Sequence, residues 1–135
     1  MTTRVFKETH FDASHRLMHY RGKCLRLHGH RWKADVWMEG TIDAESKILL
    51  DYNLIKQVIM VYDHQVILNR EDPMAAILMP FQTPVLTDGD PTSEILAEDI
   101  RRRLNAFCRE HDLDAHVTKI RVWESGGCYA EVGPE

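Results

Sequence analysis

Cysteine is scarce in this chain: there are three, an odd number, in 135 residues. In a chain with no sign of export that argues against a disulfide framework, and leaves metal binding, catalysis or plain burial as the uses of Cys24, Cys108 and Cys128. Positive charge is not in excess either. Lys and Arg number 17 against 21 Asp and Glu, a net charge of −4, so nothing draws the whole molecule to nucleic acid or an anionic membrane. A phosphate-bearing ligand must be attracted by a local cluster. No stretch approaches the roughly 18 apolar residues of a membrane span, and the opening Met1-Thr2-Thr3-Arg4-Val5-Phe6-Lys7-Glu8 holds no apolar leader run. These absences make a cytoplasmic protein the expectation. Internal repeats and low-complexity segments are missing too. With 44% hydrophobic residues, residues 1–135 are expected to form a single domain burying roughly two-thirds of its unfolded surface.

What is present is organised around Cys24-Leu25-Arg26-Leu27-His28-Gly29-His30. A first strand is expected over Val5–Asp12, running into Ala13-Ser14-His15, then a loop through Gly22, then a second strand over 28–39. The second strand alternates, with Trp32, Ala34, Val36 and Met38 on the face of His28 and His30. Asp51 can cap a helix striped by Leu54, Ile55, Val58, Ile59 and Tyr62. Residues 70–90, with three prolines, read as a long loop. Pro91-Thr92-Ser93-Glu94 starts a second helix with stripe Leu96, Ile100, Leu104 and Phe107, on which Arg101, Arg102 and Arg103 read as a solvated face. Strands over 116–124 and 128–132 close the chain. The expected class is α+β, in the order ββααββ: a mainly antiparallel sheet with two helices on one face.

Residues two apart on a strand share a face with Cα atoms roughly 6.5 Å apart, so His28 and His30 can grip one metal ion. Gly29 between them weakens the strand but lets a ligand or another chain approach its backbone. His15, ending the neighbouring strand, completes a three-histidine set that suits zinc, iron or another divalent metal and leaves a fourth position. Cys24 admits three readings: a fourth ligand closing a structural Cys-His₃ site, a catalytic thiol beside an open site, or a small buried hydrophobe. Either active reading requires the loop to fold back. A free thiol titrates near 8.5, so acting as thiolate at neutral pH takes roughly 1.4 to 2.7 kcal/mol of added stabilisation, which a divalent cation with Lys23 or Arg26 can supply. Asp63-His64 is compatible with an ordinary loop after a helix. Glu124 ends an apolar row of Thr118, Ile120 and Val122, where a carboxylate calls for a salt bridge or for a ligand with two adjacent N–H donors, such as a purine-like or pterin-like edge.

Taken together, Phe11-Asp12-Ala13-Ser14-His15-Arg16-Leu17, Cys24-x₃-His28-Gly29-His30, Asp51-Tyr52, Asp63-His64 with Leu68-Asn69, Pro91-Thr92-Ser93-Glu94 and Trp123-Glu124 resemble the 6-pyruvoyl-tetrahydropterin synthase family. They look most like its 6-carboxy-tetrahydropterin synthase branch, of queuosine biosynthesis, because three residues separate Cys24 from His28. The resemblance implies the tunnelling fold, whose subunits join their sheets into an oligomeric β-barrel, here a homohexamer with sites at subunit interfaces. It implies zinc on His15, His28 and His30, Cys24 as general base, Asp63 with His64 as proton relay, and Glu124 as pterin anchor helped by Thr92 and Ser93. The implied substrate is 7,8-dihydroneopterin triphosphate, a small molecule, with no nucleic-acid or membrane partner; Lys23, Arg26 or Arg16 would receive the triphosphate. A pyruvoyl-forming synthase, a pterin side-chain aldolase and a non-catalytic zinc protein are the alternatives. The stretch 70–90 is longer than the family's usual connection.

Overall fold

A computed structural model describes residues 1–134. Its frame is one long antiparallel pair, β1 (Thr3–His15) and β2 (His28–Gly40), in unbroken register from Thr3 opposite Gly40 to His15 opposite His28. β5 (Ala115–Ser125) pairs antiparallel with β2, and β6 (Cys128–Val132) with β5. Strict alternation along β1 and β2 turns Phe11, Ala13, Trp32, Ala34, Val36 and Met38 to one face, all buried. Against it lie α1 (Tyr52–Ile59) and α3 (Ser93–Glu110), contributing Ile55, Ile59, Leu96, Ala97, Ile100, Leu104 and Cys108 to the same core. Asp51 caps α1 by accepting from Asn53 N–H at 2.8 Å. The opposite sheet face stays polar and aromatic: Phe6 and Trp37 rings are 5.0 Å apart, and Lys119 sits over Trp37.

The ββααββ order is therefore the frame, with three elements inserted in it. The segment expected to be a plain loop over 70–90 carries a short helix, α2 (Met74–Leu78), and a strand, β4 (Val85–Thr87). β4 pairs in parallel with β3 (Gln65–Asn69), which pairs in parallel with β1, so the sheet runs β4-β3-β1-β2-β5-β6. Counting by twos along β5 also fails once. A register shift opposite Trp37 and Met38 puts Val117 inside and leaves Thr118 only half-buried, because a bulge opposes an extra residue to one partner. Nor is the arginine run merely solvated. Arg102 and Arg103 each reach Asp99 at 2.8 Å, and Asp99 accepts from the buried Tyr62 hydroxyl, tying the end of the α1 segment to α3.

Candidate metal centre

β1 and β2 bring the three histidines together by register alone: His15 faces His28, and His30 stands two residues further along β2. Their ring centroids are 4.7, 4.9 and 5.2 Å apart. His15 is 1% exposed, and its Nδ1 lies 2.7 Å from the Pro91 carbonyl; His28 Nδ1 lies 2.6 Å from the Arg26 carbonyl. A carbonyl can only accept, so Nδ1 of each ring carries a proton, which in a neutral imidazole leaves Nε2 as the metal-binding lone pair. His15 Nε2 and His30 Nε2 are buried with no hydrogen-bond partner, a costly arrangement that a bound cation would relieve. Burial lowers the pKa of His15, against the Pro91 contact, which raises it. It also lowers that of His30, against the charge of Glu124. Neutral imidazoles with converging lone pairs fit a divalent metal ion.

Glu124 is the fourth member of the cluster. One donor atom from each of His15, His28, His30 and Glu124 can be chosen so that all four lie within 4.8 Å of one another. A Glu124 oxygen is 3.2 Å from His30 Nε2, too poorly aligned for a hydrogen bond. The sulfur of Cys24 is not in this group, so among the described residues the assembled donor set is three histidines and a carboxylate rather than Cys-His₃. Cys24 is half-buried on a single turn of 3₁₀-helix, Lys23–Leu25, and its carbonyl accepts from Leu17 N–H at 2.8 Å, which folds the loop back. Cys24 thereby joins Gly22, Lys23, Arg26, His28, His30 and Glu124 around a cavity of about 780 Å³.

Asp63 and His64 do pair, though they are adjacent in sequence. His64 takes φ 60°, in the left-handed region, which costs a residue with a Cβ on the order of 1 kcal/mol. That turn swings Nδ1 to 2.7 Å from Asp63 Oδ2. Asp63 Oδ1 accepts from Asp12 N–H at 2.9 Å, and this contact, ahead of the one from His64, holds its carboxyl below the usual carboxylate range. His64 lines a second concavity of about 470 Å³, which shares only His30 with the first. One chain thus places Cys24 and His64 in different hollows. Gly29 borders the second, and a Cβ there would meet nothing nearer than 3.6 Å, so its own chain does not demand glycine.

Thr92 and Ser93 do not line the cavity over the histidines. Thr92 Oγ1 caps α3 by accepting from Ile95 N–H at 3.1 Å, and Ser93 donates to Glu94. Arg16 is not a free cation: its Nη2 and Nε donate to the two Asp72 oxygens, at 2.5 and 2.6 Å. Lys23 and Arg26 are the cations on the cavity rim. The Pro91 and Arg26 carbonyls that orient two histidines were not legible in the sequence, because a backbone group has no residue signature.

A family model described as 6-pyruvoyl tetrahydropterin synthase matches residues 4–135. The 6-carboxy-5,6,7,8-tetrahydropterin synthase of Haemophilus influenzae is 31% identical over 143 residues, spanning 95% of this chain and 96% of its own. A putative 6-carboxy-5,6,7,8-tetrahydropterin synthase of Pyrococcus abyssi is 30% identical, over 96% of this chain and 88% of its own. Among solved structures, the 6-pyruvoyl tetrahydropterin synthase of Plasmodium vivax superposes with a TM-score of 0.68 at 17% identity, over 98% of this chain and 97% of that one. At such identity the match speaks for the fold, α+β of the tunnelling type.

Proposed function

The chain belongs to the 6-pyruvoyl tetrahydropterin synthase family of lyases, and from that premise we propose that it is a 6-carboxy-5,6,7,8-tetrahydropterin synthase. Its substrate is then 7,8-dihydroneopterin triphosphate, which with one water gives the 6-carboxy product, acetaldehyde and triphosphate. Loss of two carbons as acetaldehyde breaks the bond between the first and second side-chain carbons and leaves the first as the carboxylate. The product would feed queuosine or another 7-deazapurine. Two things support the carboxy branch over the pyruvoyl one: the names of relatives 30 and 31% identical over nearly the whole chain, and the three-residue interval between Cys24 and His28.

The observation that carries the catalytic reading is that Cys24 lines the same cavity as His28 and His30 while standing outside the four-donor cluster. His15, His28 and His30 would hold zinc, with the Pro91 and Arg26 carbonyls fixing two of the rings. When bound, zinc supplies Lewis-acid polarisation of the side-chain oxygens. Cys24 takes a proton from the side chain as general base, and His64, steadied by ionised Asp63, moves the proton on the other side. Glu124, although it stands beside the histidines, is assigned to the pterin edge rather than to zinc and accepts its two N–H groups, and Lys23 and Arg26 draw the triphosphate to the rim. Following the family resemblance, we propose that the working site lies between subunits of a homohexamer, with Thr92 and Ser93 of a neighbour near the pterin; the separation of Cys24 and His64 into different hollows of one chain is compatible with that.

Product analysis by mass spectrometry tests the reaction. The expected products are 6-carboxytetrahydropterin and acetaldehyde; a pyruvoyl product or glycolaldehyde would assign another branch. Cys24→Ala is expected to keep its zinc stoichiometry while turnover drops roughly a hundredfold or more. Loss of zinc from that variant would make the thiol a structural ligand instead.

A further inference from the structure

We infer that Gln82, in the extended segment between Asn69 and Pro91, is a positioning residue for His64. The inference rests on the reading of His64 as a proton-transfer group. His64 occupies the left-handed region at φ 60°, which a side chain with a Cβ holds only when its peptide groups are fixed from outside. Both are fixed. Its N–H donates to the Asp12 carbonyl at 2.6 Å, and its carbonyl accepts from Gln82 Nε2 at 3.1 Å. The carbonyl can only accept, so the amide atom of Gln82 that faces it must be the nitrogen. The second hydrogen of that nitrogen is directed to Gln65 Oε1, 3.2 Å away. Gln82 therefore bridges His64 and the first residue of β3.

Gln82 is itself held. Its backbone N–H donates to the Leu78 carbonyl at 2.8 Å, continuing the turn of α2. The start of α2 is pinned by Asp72, which accepts from Met74 N–H at 2.9 Å and from Nε and Nη2 of Arg16. Arg16 directly follows His15. A chain of contacts thus leaves β1 beside the histidine cluster, crosses the extended segment and returns to the peptide of His64. Gln82, His64 and His30 line the same hollow, so the bridge stands at the site rather than behind it. A plain loop-closing contact would not need to end on the one left-handed residue that also pairs with Asp63.

The test uses the zinc-loaded full chain with Gln82→Ala and Gln82→Glu. The second variant keeps the length but replaces the donor nitrogen by oxygen. Both are expected to lower kcat for 7,8-dihydroneopterin triphosphate roughly tenfold or more, as misplacement of a reacting group does, with KM and zinc content unchanged. In a His64→Ala background neither should lower it further. The backbone amide resonance of His64, assigned by NMR, should shift or broaden in both variants while the thermal midpoint stays near that of the native chain. A kcat within twofold of native, an equal loss in the His64→Ala background, or an unmoved His64 resonance overturns the inference. A native chain that does not convert the substrate defeats the proposed function instead, and the His64 resonance still decides the role of Gln82.

Discussion

Replacing Arg16 by methionine strands a carboxylate. The Asp72 side chain is fully buried, and the guanidinium that faces it is the neighbour that balances its charge. Removing one partner of such a pair leaves a charge in a poorly solvated place, so Arg16→Met is expected to destabilise the fold by about 3 kcal/mol at neutral pH, read by denaturant unfolding. The pH dependence follows from the same contact. Arg16 holds the Asp72 carboxyl below its ordinary value of about 3.9. A lowered folded value means the stabilisation is complete above that ordinary value and is lost as pH falls through the folded one. The gap between native and variant should therefore narrow below about pH 4. A gap that stays constant down to pH 3 would show that the pair is not what stabilises the segment. The same contact explains why Arg16, which the sequence offered as a triphosphate cation, is not available as one.

At the scale of the element, the start of α3 both ends a loop and orients the His15 ring. Thr92 Oγ1 satisfies the Ile95 N–H, Glu94 sits in the positive first turn, and the carbonyl of Pro91 just before them receives the His15 ring. Helix capping and histidine orientation are thus one local structure. Thr92→Ala is expected to cost about 1 kcal/mol and to weaken binding of the proposed zinc ion roughly tenfold through the loosened carbonyl, while Thr92→Ser keeps both. Thermal melts and a competition titration with a zinc chelator measure the two. A raised KM at unchanged stability and zinc affinity would instead make Thr92 a substrate contact.

At the scale of the whole molecule, the proposed sharing of the site between subunits has a consequence that one chain lacks. Cys24→Ala and His64→Ala are each expected to keep only a small, measurable residue of the native turnover, yet mixed before assembly they should regain activity at about a quarter of the sites, those with a native residue from each side. Turnover after refolding the mixture checks this, and no recovery would put both residues in one subunit's site. How much was legible in the sequence follows from the range of the forces involved. The histidine triad and its strands could be read because alternation is local: each residue's face depends on its neighbours, and one antiparallel pairing brought His15 to His28. The caps at Asp51 and Thr92 were readable for the same reason. What only the tertiary structure decided are the meetings of residues far apart in the chain: the Pro91 carbonyl on His15, Asp72 on Arg16, Glu124 on the histidine cluster, and the parallel strands β3 and β4. Those depend on which hydrogen-bonding groups the folded sheet leaves facing each other, and no periodicity in the sequence encodes that.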